Sequence, residues 1–215
     1  MSRQPTDPAM AAALLRAVPA SVPTEAPGRH EALVAAARRG DLNAWSRLYV
    51  ETFDNVLKHV CYLTGDAALA EDLVQDAYAR AMSNIAQFDA RSSFTSWLRG
   101  IALNVVRMHW RRARTTDRVH DRLRTLVEVT TGGVTEGPER VHQQDQRMRL
   151  LYELLTTLPE NLREAFVLRE LEGLPADEAA SALGISEGNL AVRASRARAR
   201  IREELERLGW TEHRP

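Results

Sequence analysis

Five arginines, at positions 193, 196, 198, 200 and 202, stand against one acid, Glu187, over residues 186–202. Cations at that density suit one task above others, the approach to phosphate. The residues just before them, Pro175 to Ile185, read as a short helix closed by a turn at Gly184. Ser186 is a good N-cap for a second helix. Ala180 is small enough to let two helices cross closely, and Leu183, Ile185 and Leu190 are spaced to fill the crossing. This is the layout of a helix-turn-helix, whose second helix enters the major groove. The groove-facing candidates are Ser186, Glu187, Asn189, Ala191, Val192, Arg193, Ser195 and Arg196. Ala191 and Val192 have no side-chain donors and can only pack on thymine methyls. The plainer reading is a helical hairpin with a solvated basic face.

A second constellation lies at residues 88–112. Side chains about 100° apart place Asn104, Arg107, Arg111 and Arg114 on one helical face, with Arg112 beside it. The loop before that helix offers Arg91, Ser92, Ser93 and Phe94. A cationic track with aromatics suits single-stranded nucleic acid, which stacks its bases and presents its phosphates. Against this, Phe88, Phe94 and Trp97 could all be core. The core reading is the better one for Trp97, while Phe88 and Phe94 stay open. A third group is acidic: Asp72, Gln75 and Asp76 fall opposite the apolar Leu69, Leu73, Ala77, Ala81 and Ile85.

These groups need elements to hold them, and the chain predicts helices throughout. Its 215 residues, 44% hydrophobic, suffice for one or two compact domains. Formal net charge is zero, so only the distribution is informative: residues 99–124 hold eight arginines and two aspartates. Lys58 is the one lysine among 29 basic residues, a bias that weakens any argument from arginine alone. The single cysteine, Cys61, excludes an internal disulfide or a cysteine-cluster zinc site and reads as a core residue. His59, His109, His120 and His142 lack ligand spacing, and no cofactor is expected. No apolar run has membrane-spanning length, so a soluble cytoplasmic protein is expected.

Residues 1–29, rich in Ala and Pro, read as a disordered tail. Helical patterning begins near Glu31. Beyond Gly40-Asp41, a stripe of Leu42, Trp45, Tyr49, Phe53, Val56, Leu57 and Val60 marks one buried face. Gly65-Asp66 separates that helix from the next. Another follows Ser92-Ser93 to about Arg114, with Trp97, Ile101, Val105 and Met108 as its stripe. The pattern then dissolves over 115–143, and helices resume at Asp145–Thr156 and Pro159–Glu172. The predicted fold is all-α: a helical domain at 30–114, a flexible linker at 115–143, and a helix-turn-helix domain at 144–210.

Ala70-Glu71-Asp72-Leu73-Val74-Gln75-Asp76-Ala77-Tyr78, with Phe94-Thr95-Ser96-Trp97-Leu98 and Ile101-Ala102-Leu103-Asn104, resembles the second domain of extracytoplasmic-function sigma factors. Leu158-Pro159-Glu160, then Phe166 through Leu174 and the helix-turn-helix, resembles their fourth domain. The resemblance implies an initiation subunit of bacterial RNA polymerase core. Asp72, Leu73, Gln75 and Asp76 would then dock on the clamp of the largest subunit, where acids and amides pair with arginines. Residues 89–112 would capture and unstack bases of the minus-ten promoter element, and the second helix of the helix-turn-helix would read the minus-thirty-five element. An anti-sigma factor is also implied.

The chain departs from the family in two helices. Arg107 stands where an acid is usual. Ala191, Val192 and Ser195 replace the usual residues of the recognition helix, while Arg193, Arg196 and Arg198 match. Three rival readings remain at this point: a helix-turn-helix regulator that binds duplex DNA without polymerase, an adaptor unable to melt DNA, and an enzyme. The regulator would need a dimerisation element, and no heptad zipper is evident. An enzyme is the least supported, because no nucleophile, metal cluster or phosphate loop accompanies the carboxylates.

Overall fold

The computed structural model describes residues 29–124 and 144–209. The predicted tail, apart from Arg29, and the linker from 125 to 143 lie outside the described residues. Eight helices follow in order: α1 (Glu31–Arg38), α2 (Leu42–Thr64), α3 (Ala67–Asn84), α4 (Phe94–Arg124), α5 (Gln144–Thr156), α6 (Glu160–Phe166), α7 (Ala176–Leu183) and α8 (Glu187–Arg207). Among the described residues there is no strand, and no helix is long and apolar enough to cross a membrane.

The breaks fall where capping chemistry puts them. Asp41 accepts from the N–H groups of Asn43 and Ala44 to open α2, and Asp66 accepts from Leu69 to open α3. Between these helices Gly65 takes φ +72°, and a Cβ there would collide with the Thr156 methyl of α5. After α6 the chain widens into a π-helical turn, Val167–Leu171, in which Glu172 N–H donates to the Val167 carbonyl.

Two predicted stripes are displaced around their helices. On α2 the buried residues are Ala44, Trp45, Leu48, Thr52, Val56 and the run His59–Leu63. Leu42 and Tyr49 from the predicted stripe are exposed. Polar Thr52 holds the centre because its hydroxyl donates to the Leu48 carbonyl and meets the Tyr78 hydroxyl at 2.6 Å. On α4 the core residues are Leu98, Ala102, Leu103, Val105 and Val106, with Trp97, Ile101 and Met108 only half-buried. The same helix runs through 115–124, where the sequence pattern gave a linker. Thr115-Thr116 costs a helix only tenths of a kcal/mol, and neither Gly nor Pro interrupts the segment.

The two domains, α1–α4 and α5–α8, meet through the C-terminal half of α2. His59, Tyr62 and Leu63 have no exposed surface. Arg163 of α6 reaches across to donate to the Leu63 carbonyl at 2.6 Å and lies 5.6 Å over the Trp110 ring. A guanidinium at the C-terminal carbonyls of α2 sits at the negative end of that helix. Burial lowers the Arg163 pKa from its ordinary range.

Candidate nucleic-acid interface

The helix-turn-helix is built as its residue types require. Gly184 closes α7 at φ +68°, donating to the Ser181 carbonyl, while Ile185 N–H reaches back to Ala180 at 3.0 Å. These two bonds form a Schellman closure, which satisfies carbonyls the helix leaves open. Ser186 then caps α8 by accepting from Asn189 N–H at 3.3 Å. Ala180, Leu183 and Leu190 are buried at the crossing, with Ile185 half-buried.

On α8 the buried stripe is Leu190, Ala194, Ala197, Ile201 and Leu205. Opposite it run Asn189, Val192, Ser195 and Arg196, all exposed. Ser186, Glu187 and Ala191 are exposed at its edges. The ridge centres on Val192, 48% exposed, an apolar side chain with no core to join. Three of the arginines differ in their engagement. Arg193 donates to the Asn189 side-chain oxygen at 2.9 Å, and Arg198 pairs with Glu170 at 2.6 Å. Arg196 points outward from the ridge with no ion pair or hydrogen bond among the described residues. Arg196→Ala is therefore expected to cost about 1–3 kcal/mol of duplex affinity and to relax preference at one base position. Selection on randomised minus-thirty-five sequences checks this: an unchanged preferred motif with evenly weaker binding would assign Arg196 to phosphate instead.

The loop ahead of α4 is held from three sides. Arg38 of α1 donates to the Ile85 carbonyl at 3.2 Å and to the Phe88 carbonyl. Asp89 accepts from Arg91 N–H at 3.1 Å and pairs with its side chain at 2.7 Å. Between them Ala90 takes φ +60°, a left-handed conformation costing a non-glycine residue roughly 1–2 kcal/mol. Phe94 anchors the far end, 2% exposed, among the rings of His30, Trp45, Phe88 and Trp97.

This geometry sorts the predicted strand-binding residues. Arg91, Asn104, Arg111 and Arg112 are exposed and Ser92 is half-exposed. Ser93 and Phe94 are buried, and this corrects their placement: Ser93 Oγ caps α4 by accepting from Ser96 N–H at 3.1 Å, and Phe94 props the loop from within. Arg107 is engaged across the molecule by Glu164 of α6, with Nε to Oε1 at 2.6 Å and Nη2 to Oε2 at 2.7 Å. Those hydrogen bonds hold its guanidinium above the ordinary arginine range.

On α3, Asp72, Gln75 and Asp76 are exposed and form no hydrogen bond or ion pair among the described residues. Leu73, at 6% exposure, faces the core, so its predicted docking contact is corrected to support of the helix from behind. Val50 of α2 and Met82 of α3 are large apolar side chains that are also exposed.

Sequence reasoning missed the most buried charged group. Glu172 is 1% exposed; its Oε1 meets His59 Nδ1 at 2.5 Å and its Oε2 lies 3.9 Å from Arg99. Burial pushes its carboxyl upward, but His59, Arg99 and Lys58 outweigh burial and hold it below the ordinary carboxylate range. Its partner His59 lies 113 positions away, and no local pattern announces such a pair.

Residues 48–116 match the family described as Sigma-70 region 2, and residues 148–201 match Sigma-70, region 4. A probable RNA polymerase sigma factor, RfaY of Xanthomonas campestris pv. campestris, is 32% identical over 176 residues, covering 82% of this chain and 43% of its own. The ECF RNA polymerase sigma factor SigC of Mycobacterium tuberculosis is 34% identical over 173 residues, covering 78% and 86%. Among solved structures, the sigma factor RpoE of Bartonella quintana, in complex with the anti-sigma factor NepR, shares the fold with a TM-score of 0.56 at 24% identity, over 75% of this chain and 96% of that one. The chain carries both sigma regions in order on one all-helical scaffold, and it belongs to the sigma-70 family as an RNA polymerase sigma factor of the extracytoplasmic-function type.

Proposed function

We propose that the chain docks on RNA polymerase core through Asp72, Gln75 and Asp76, engages the minus-ten strand with Arg91 and Ser92 of the loop before α4 and the Asn104, Arg107, Arg111, Arg112 face of α4, and reads the minus-thirty-five duplex with α8. The observation that carries this reading is the conjunction on one chain of sigma region 2, with an acidic face unpaired among the described residues, and sigma region 4, with an exposed ridge on the second helix of the helix-turn-helix. A regulator acting alone would leave the first four helices without a task. On this reading the chain directs initiation and performs no catalysis of its own. Phosphate contacts from the arginines set the position of the DNA, and the few polar groups on the ridge read it. The Bartonella sigma factor forms a complex with an anti-sigma factor, and an anti-sigma partner is part of the reading for this chain as well.

Run-off transcription by purified core polymerase, with and without the protein, tests the reading. Transcripts from a specific promoter only when both are present are the expected result. A tight sequence-specific duplex complex formed by the protein alone, with no stimulation of core, would favour the stand-alone regulator.

A further inference from the structure

Asp89, Ala90 and Arg91 are all exposed, so no core of their own fixes the tip of the loop ahead of α4. Within the tip, the Asp89 carboxylate accepts from the Arg91 N–H and pairs with its guanidinium, while Ala90 between them stays left-handed at φ +60°. A non-glycine residue relaxes out of that conformation unless its surroundings hold it there. Helix α1 does not pack on the tip: a cleft of about 380 Å³, lined by Val34 and Ala35 on one side and by Ala90 and Ser92 on the other, lies between them. What reaches from α1 to the root of the loop is Arg38. Its Nε donates to the Ile85 carbonyl at 3.2 Å, and its Nη2 donates to the carbonyl of Phe88, the residue before Asp89. These N–H groups lie along one edge of a planar guanidinium, a fork that a lysine ammonium does not offer. Helix α1 is itself seated by Val34 and Ala37, 4% and 3% exposed, so the fork has a fixed base.

We infer that Arg38 is a positioning residue for promoter recognition: by fixing Phe88 from α1, it holds the loop in the shape that presents Arg91 and Ser92 to the minus-ten strand. The inference rests on the assignment of those two residues to that strand. A plainer role for Arg38 is to satisfy carbonyls left open at the end of the Ile85–Gln87 turn. The two roles differ at Ala90. A residue that only caps the turn can be lost without Ala90 mattering. A residue that holds the loop against a strained position cannot, because its loss lets Ala90 relax, and removing the strain then undoes the damage. A third role, direct contact of Arg38 with phosphate, is also indifferent to Ala90.

The test compares full-length variants: Arg38→Ala, Arg38→Lys, Arg38→Ala with Ala90→Gly, and Arg39→Ala. The last removes the adjacent charge, whose side chain is exposed and forms no hydrogen bond or ion pair among the described residues. Amide hydrogen exchange at Phe88 and Arg91 reads the loop without DNA, since both N–H groups are hydrogen-bonded there, to the Ile85 carbonyl and the Asp89 carboxylate. Arg38→Ala is expected to speed that exchange by about tenfold, Arg38→Lys by less, and Arg39→Ala not at all. With saturating core polymerase on a cognate promoter, permanganate footprinting should show opening reduced by about tenfold in Arg38→Ala. Base preference should flatten in the minus-ten element and stay unchanged in the minus-thirty-five element. Glycine takes a positive φ without the alanine penalty, so adding Ala90→Gly should return both exchange and opening close to wild type. Unchanged circular dichroism keeps a released loop distinct from an unfolded chain. Unchanged exchange in Arg38→Ala, or a loss of opening that Ala90→Gly does not relieve, would overturn the positioning role. Faster exchange with opening unchanged would uphold Arg38 as the brace of the loop and remove Arg91 and Ser92 from strand recognition instead.

Discussion

Reversing charge at both Asp72 and Asp76, as Asp72→Lys with Asp76→Lys, is expected to abolish binding to RNA polymerase core while leaving the helices intact. The two carboxylates are one turn apart on α3 and exposed, and neither pairs with a described residue. No internal contact is lost when they change, and lysine is as good a helix former as α3 needs. Repulsion between neighbours at that spacing exists before and after, so helix stability should shift by only tenths of a kcal/mol. At an interface with a basic partner the sum is different. Each reversal removes an attraction and adds a like-charge contact costing several kcal/mol. Together they should weaken binding by about a thousandfold or more. A core pull-down reads the loss, with circular dichroism as the control for folding. Unchanged affinity would move the docking surface elsewhere, and the exposed apolar Val50 and Met82 would become the next residues to change.

The acidic face was legible because it needs only one helix and a period. So were the caps. Asp41, Asp66, Gly184 and Ser186 act on their own neighbours, and their local chemistry determines where helices start and stop. Reading failed wherever burial depended on a second element. The predicted α2 stripe shares Trp45, Val56 and Val60 with the buried face but includes the exposed Leu42 and Tyr49, whereas the buried line also passes through Leu48, Thr52 and His59. Hydropathy scores Thr52 and His59 as surface; Tyr78 and Glu172 make them core. The contact between the two halves likewise includes charged residues, Arg99, Arg107, Arg163, Glu164 and Glu172, which composition assigns to solvent. The spacing of α4 sets its arginines along one face, but nothing in that spacing reveals that Glu160 and Glu164 of the same chain pair with Arg114 and Arg107.

Phe94 is where the two kinds of evidence diverge most, and its substitutions should separate them. The sequence offers it as an aromatic for a base to stack on. In the structure it is 2% exposed, with ring centroids at 6.2 Å to His30, 6.3 Å to Trp45, 5.8 Å to Phe88 and 5.6 Å to Trp97. No face of the ring is open to a base. Phe94→Ala is expected to cost about 3–5 kcal/mol, from lost burial and from the void among four rings. The loop held by Phe88 and Asp89 would lose its support, and promoter opening should fail with it. Phe94→Leu keeps most of the volume and should cost no more than about 1.5 kcal/mol. If Phe94 acts only as a prop, the Leu variant should still open a promoter when core is saturating. If instead the ring stacks on a base, Leu loses an interaction worth about 1–3 kcal/mol and opening falls although the fold survives. Urea denaturation measures the first quantity and permanganate footprinting the second. A Leu variant as stable as expected but unable to melt DNA would return Phe94 to the strand-binding surface, and would require the loop to release it when polymerase binds.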